Sequence, residues 1–185
     1  MKYIKLNIQA PFMSFGDATS KFQNTRDTGT KPTKSMIVGL IACAMGIPRG
    51  DARIEQLNNN LFIQTTTINK KATLWQDYQN AHIRELDEMG RYGSNDDKNI
   101  QRWKTYVLNG NYIVFVGSED EQQLVNIYNA LSHPFWPLFA GRKCCPLSSR
   151  ITQDSLQVYD ESELNDIINI HNQELEENIT LCICQ

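Results

Sequence analysis

The stretch TGTKPTKSMIVGLIACAMGI, residues 28–47, places Thr33, Lys34 and Ser35 at the entrance of a segment that is apolar on every side. Hydroxyls and a cation suit an anion there. The first turn of a helix leaves backbone N–H groups unpaired and carries the positive end of the helix dipole. The same residues also suit an ordinary N-cap of a core helix. Lys31 adds charge on the approach, and Arg26 lies upstream in the same loop. A nucleotide-triphosphate cradle is disfavoured by the spacing. The second glycine of G-x-x-x-x-G-K-[ST] is missing between Gly29 and Lys34-Ser35, and Pro32 removes a donor where the cradle needs one. What survives is a plainer site for one or two phosphates of a polynucleotide.

Two further stretches carry the same chemistry. In IQRWKTYVL, residues 100–108, a strand points Arg102, Lys104 and Tyr106 to one face. Two cations grip a phosphate backbone and a ring stacks a base; the competing reading is a solvated strand face. In AGRKCCPL, residues 140–147, Gly141 permits close backbone approach and Arg142 and Lys143 suit phosphate, against the alternative of a surface turn. Cys144-Cys145 and Cys182-x-Cys184 supply four thiols. Adjacent cysteines do not form the C-x₂₋₄-C knuckle of structural zinc, so they read as small buried hydrophobes, and no metal or other cofactor is expected. His82, His133 and His171 are far apart, with no Glu-x-x-His or nucleophile elbow beside them, so no catalytic residue is assigned.

The elements that must position these residues follow from periodicity. Residues 3–9 alternate, with Ile4, Leu6 and Ile8 on one face, and read as a half-buried strand. Residues 10–33 read as a long loop, kept ordered by Phe12, Phe15 and Phe22. A helix over 34–46 follows, its Gly39, Ala42, Cys43, Ala44 and Gly46 implying close approach of a sheet, with Gly46 ending it. Strands are predicted over 61–68 and 72–78 around an Asn69-Lys70-Lys71 turn. Residues 81–99 are polar and read as an excursion from the core. Asn109-Gly110 predicts a hairpin between strands 100–108 and 111–117. Ser118 and Glu121 form a capping box for a helix striped by Leu124, Ile127, Tyr128 and Leu131. A strand over 151–159, an acidic helix over 161–172 and a strand over 178–184 complete the chain. This order predicts an α+β, ferredoxin-like (RRM-like) β-α-β-β-α-β domain with a long insertion. The fold hosts many unrelated functions and assigns none by itself.

The 185 residues suffice for one core, and no apolar run reaches the length of a transmembrane helix. The N-terminus lacks a signal-peptide core, and five cysteines without framework spacing fit reduced thiols, so the expected location is cytoplasmic, with no membrane partner. Net charge is only −3, which excludes a uniformly basic binder. The distribution is uneven: residues 1–80 carry ten Lys/Arg against five Asp/Glu, residues 81–150 balance at eight each, and residues 151–185 carry eight acids and no Lys or Arg. That asymmetry points to one electropositive working region and an acidic terminal segment, 151–185.

Four blocks in order resemble one family. APFMSFGDATSKFQNTRDTGTKPTKSMIVGLIACAMGIPRGD resembles the N-terminal signature of the CRISPR-associated CasD family, the type I-E Cascade subunit of the RAMP superfamily. WQDYQNA, IQRWKTYVLNGNYIVFV and PFWPLFAGRKCCPL resemble its later blocks; together they span about residues 1–150. The resemblance implies a single RAMP-like domain over 1–185 with a β-hairpin thumb around 81–99. It implies a non-catalytic ribonucleoprotein subunit in antiviral defence that grips the 5′ handle of the crRNA, with the Cascade backbone and large subunits as partners and target DNA reached only through the complex. Matched by motif, the RNA-binding residues are Arg26, Lys31, Lys34, Ser35, Arg102, Lys104, Arg142 and Lys143, with Tyr106 on the same strand face. In some subtypes the homologous subunit is a metal-independent endoribonuclease using a Tyr and a Lys-His pair. No Lys-His pair occurs here. Family members run longer after the GR-x-C-P block, and the acidic segment departs from their pattern. An interaction module without RNA binding is the third reading.

Overall fold

A computed structural model describes residues 1–16, 25–67, 73–83, 98–152 and 155–169. Its spine is β7 (Lys98–Ser118), a strand of 21 residues. The second half of β7 lies between β1 (Lys2–Met13) and β5 (Phe62–Thr67), antiparallel to both. β8 (Val158–Asp160) pairs with the far edge of β1, so the core order is β8-β1-β7-β5. The first half of β7 pairs antiparallel with β6 (Thr73–Ile83) on the β5 edge. On the other edge it pairs parallel with the short β3 (Thr25–Arg26). A separate pair joins β2 (Phe15–Gly16) to β4 (Thr28–Gly29). The protein is thus α+β with a mixed sheet.

Alternation in β1 sends Ile4, Leu6 and Ile8 into the main core. There they join Ile37 and Ile41 of α1 (Lys34–Ala44) and Leu124 and Ile127 of α3 (Glu121–Ser132). The opposite face is also covered. Tyr3, Ile113 and Phe115 pack with Leu164, Ile167 and Ile168 of α4, a helix over 161–169. This explains why Tyr112 to Val116 are apolar without alternation: the strand centre is buried on both faces. Lys2 and Asp160 pair at 2.9 Å across the β1–β8 edge. No helix among the described residues is long and apolar enough to cross a membrane.

The structure corrects several expectations. Asn109-Gly110 is not a hairpin turn. Asn109 has φ +51°, as a turn residue would, yet β7 runs through it. The β1–β7 register continues from Ala10–Gly110 to Phe12–Leu108 without Pro11 or Asn109 among its pairs. Pro11 has no N–H to give, so the two irregular residues meet and the strand continues past them. Gly110 is held by crowding: a Cβ there would come 2.8 Å from Met13 Sδ and Tyr112 Cε2. Within the loop expected over 10–33, the described residues include the end of β1, which runs to Met13, and the short strands β2, β3 and β4. The α3 cap is Asp120, whose carboxylate accepts from Gln122 N at 2.9 Å. Ser118 instead ends β7; its hydroxyl donates to Gln123 and accepts from Asp120 N.

A further helix, α2 (Ala52–Asn60), has no counterpart in the sequence reading, because Leu57 is its one buried residue and leaves no stripe to read. The strand expected over 151–159 is reduced to β8. Gly46 does end α1, with φ +69° and its neighbour Ile47 N donating to Ala42 O. The 69–71 turn, residues 84–97, Phe22 and the expected 178–184 strand lie outside the described residues.

Candidate nucleic-acid interface

The β6–β7 ribbon presents two faces. Register sets Trp75 opposite Tyr106, Asp77 opposite Lys104 and Gln79 opposite Arg102, so all six share one face. The Lys104 ammonium donates to Gln79 Oε1, and Gln79 Nε2 donates to Asp77 at 2.7 Å. The other face carries the exposed pair Tyr78 and Trp103, ring centroids 4.6 Å apart.

Arg26 joins the basic face because β3 sets it beside Lys104. The β3 segment is pinned by Thr105, whose hydroxyl donates to Asp27 Oδ1 at 2.9 Å. Arg142 closes the arrangement. Its guanidinium donates to Arg26 O at 3.0 Å and Thr105 O at 3.2 Å, and lies 4.5 Å from the Tyr106 ring centroid. Two of its nitrogens are therefore spent on carbonyls, and Arg142 works first as a clamp on β3. The turn that carries it needs glycine. Gly141 has φ +90°, and a Cβ there would fall 1.6 Å from Ser14 O.

Tyr106 is only 5% exposed, so the ring expected to meet a base is covered. Phe12 packs edge-on to it at 6.0 Å, Trp75 lies at 6.1 Å, and Arg142 caps it. Burial pushes its hydroxyl above the usual phenol range, partly opposed by Arg142. The exposed rings are Trp75 (44%) and Phe12 (40%). Sequence reasoning missed both as site residues. Trp75 sat in an expected strand, but its partner Tyr106 is distant in sequence, and no local pattern reports the pairing.

The α1 entrance forms a second part. Thr33 is its N-cap, accepting from Met36 N at 3.3 Å; the first turn holds no acid. Lys31, Lys34 and Ser35 are exposed. The approach is fixed from both sides. Thr28 Oγ1 accepts from Phe15 N at 2.6 Å, and Tyr112 Oη donates to Thr30 O at 2.6 Å. A cleft of about 260 Å³ opens here, lined by Ser14, Thr33, Ser35, Gly39, Arg49 and Gly141 among others. Gly39 contradicts its expectation: no sheet approaches it, a Cβ there would meet nothing within 4 Å, and it faces the cleft. Gly141 walls this cleft, and its neighbour Arg142 lies on the ribbon side.

Of the nine expected residues, Arg26, Lys104, Tyr106 and Arg142 meet directly, and Arg102 extends the same ribbon face. Ser35 opens on the adjoining cleft, while Lys31, Lys34 and Lys143 are exposed nearby in sequence. The two ion pairs among the described residues, Lys2–Asp160 and Arg53–Asp51, involve none of the nine. Cys145 is buried as expected, but Cys144 is exposed. No group of three or more metal-ligating side chains occurs among the described residues, and His133 stands at the C-cap of α3.

The chain is α+β in fold, built on one long shared strand. Its sequence matches the CRISPR-associated protein (Cas_Cas5) family over residues 3–179, and the chain belongs to that family. The CRISPR system Cascade subunit CasD of Escherichia coli (strain K12) is 24% identical over 170 residues, covering 85% of this chain and 73% of CasD. Two solved structures share the fold. One, titled a CRISPR RNA-guided surveillance complex, gives a TM-score of 0.66 at 20% identity over 80% of this chain. The other, titled a crystal structure of a Cas protein, gives 0.60 at 23% over 85%. The chain spans 61% and 66% of the lengths of those two chains.

Proposed function

We propose that this chain is a non-catalytic RNA-binding subunit of a type I CRISPR Cascade surveillance complex. It grips the 5′ handle of the crRNA and caps the backbone filament beside the large subunit. The observation that carries this reading is the convergence of Arg26, Lys104 and Arg142 on one face of the β6–β7 ribbon, beside exposed Trp75 and Phe12. Cations track phosphates while rings stack bases without demanding a sequence. The core order β8-β1-β7-β5, with α1 and α2 between β1 and β5 and α3 between β7 and β8, supports the ferredoxin-like plan. One open face of such a sheet is the usual RNA platform of RRM domains. Here α4 packs on that second face, so the ribbon and the α1 cleft take the RNA instead.

The test is handle-RNA affinity against salt, in the assembled complex. Single-strand contacts give a log–log slope of about −0.7 per neutralised phosphate. Arg26→Ala with Lys104→Ala should flatten the slope by about 1.4 and weaken binding at low salt. An unchanged slope and affinity would remove the ribbon face from the interface. Repeat-RNA cleavage in EDTA by the purified chain, abolished by His133→Ala, would replace the binder with an endoribonuclease.

A further inference from the structure

We propose that Cys144 and Cys145 form a peroxide-reactive vicinal dithiol, and that its closure to a disulfide unseats Arg142. The two sulfurs are 4.0 Å apart. Cys144 is exposed, with its sulfur 3.7 Å from Tyr106 Oη, whereas Cys145 has no exposed surface. Burial pushes the Cys145 thiol up to about 11, a further rise coming from Cys144 beside it. The reachable sulfur therefore meets the oxidant, and the buried one, 4.0 Å away, resolves the product once it gives up its proton.

The steps balance. The Cys144 sulfur attacks hydrogen peroxide; the O–O bond breaks, an S–O bond forms, and the departing hydroxide takes the thiol proton as water. The Cys145 sulfur then attacks the sulfenyl sulfur of Cys144. The S–S bond forms, the S–O bond breaks, and the second water leaves with the Cys145 proton. Two thiols are oxidised and one peroxide is reduced to two waters.

Closure conflicts with the turn as it stands. Adjacent Cα atoms are about 3.8 Å apart across a trans peptide, whereas disulfides usually span roughly 4.4–6.8 Å. The Cys144–Cys145 peptide must twist. That peptide supplies the Cys145 N–H that donates to Arg142 O at 2.8 Å, and Cys145 O accepts from Ala140 N at 2.8 Å. Between these bonds Gly141 lies against Ser14, close enough that a Cβ would fall 1.6 Å from its carbonyl oxygen. The displacement falls on Arg142, which leaves Arg26 O, Thr105 O and the Tyr106 ring. A strained disulfide of this kind is also easily reduced, which makes the change reversible.

The experiment uses the reduced full chain and one equivalent of hydrogen peroxide, without RNA. Intact mass should show the loss of two hydrogens, and peptide mapping should join Cys144 to Cys145. Cys144→Ser should abolish the link. Amide exchange across 140–146 should accelerate about tenfold or more in the oxidised chain and recover with dithiothreitol. A link to Cys43, Cys182 or Cys184, oxygen addition at Cys144 without a link, or a link with unchanged exchange would each overturn the proposal. In a separate titration of the oxidised chain, undiminished handle-RNA affinity despite faster exchange would uphold the dithiol and count against the interface reading.

Discussion

At the scale of single residues, the division between clamps and contacts decides what each substitution reads. Trp75 is exposed while Tyr106 beneath it is covered. Trp75→Ala should cost about tenfold or more in RNA affinity, the range for losing one base–aromatic stack, and leave the urea midpoint nearly unchanged. Equal losses in both measurements would make Trp75 a structural residue. Arg142→Lys keeps the charge but cannot reach both Arg26 O and Thr105 O with a planar fork. It should lower stability by about 1.5–3 kcal/mol, the range for hydrogen bonds to charged groups, measured by urea unfolding. The sequence showed Arg142 as a cation in a basic turn, and that much was legible. Its use as a fork on two carbonyls was not, because both acceptors belong to distant backbone.

Among the elements, α1 carries a glycine with no internal reason to be there. Gly39 lies mid-helix with open space where a Cβ would go. Gly39→Ala should raise stability by about 1 kcal/mol through helix propensity. The same methyl narrows the cleft, so RNA affinity should fall as the thermal midpoint rises; a rise in both would mean the cleft holds no RNA. The α2 cap responds to acid. Bonds from Arg53 hold the Asp51 carboxyl down at about 2, below its unfolded value of about 3.9. A depressed carboxyl contributes stability that is full above the unfolded value and is lost as pH falls through the folded one. Urea midpoints of the wild type should exceed those of Asp51→Asn at about pH 5 and converge near pH 2. Alternation made β1 readable and a helical stripe made α3 readable, while α1 showed as an unbroken apolar run behind Thr33. The Asn109-Gly110 signal misled because a left-handed residue marks a bend as readily as a turn, and only Pro11 on the neighbouring strand distinguishes them.

For the molecule as a whole, the plan of strands and helices was legible because burial repeats along the chain at fixed periods. The second covered face of the sheet was not: the acidic helix over 161–172 was legible, but no local pattern showed that it packs on the sheet, with Leu164 buried in one cluster with Phe115. Nor could any local pattern show that the core and the ribbon share one strand. That sharing has a mechanical consequence. At about 3.4 Å per residue, β7 extends roughly 70 Å, anchored between β1 and β5 at one end and held by β6 and the short β3 at the other. A load applied to the outer end has no interdomain joint in which to dissipate. It is transmitted as torque into the anchored pairs, with the least resistance where Asn109 interrupts the ladder.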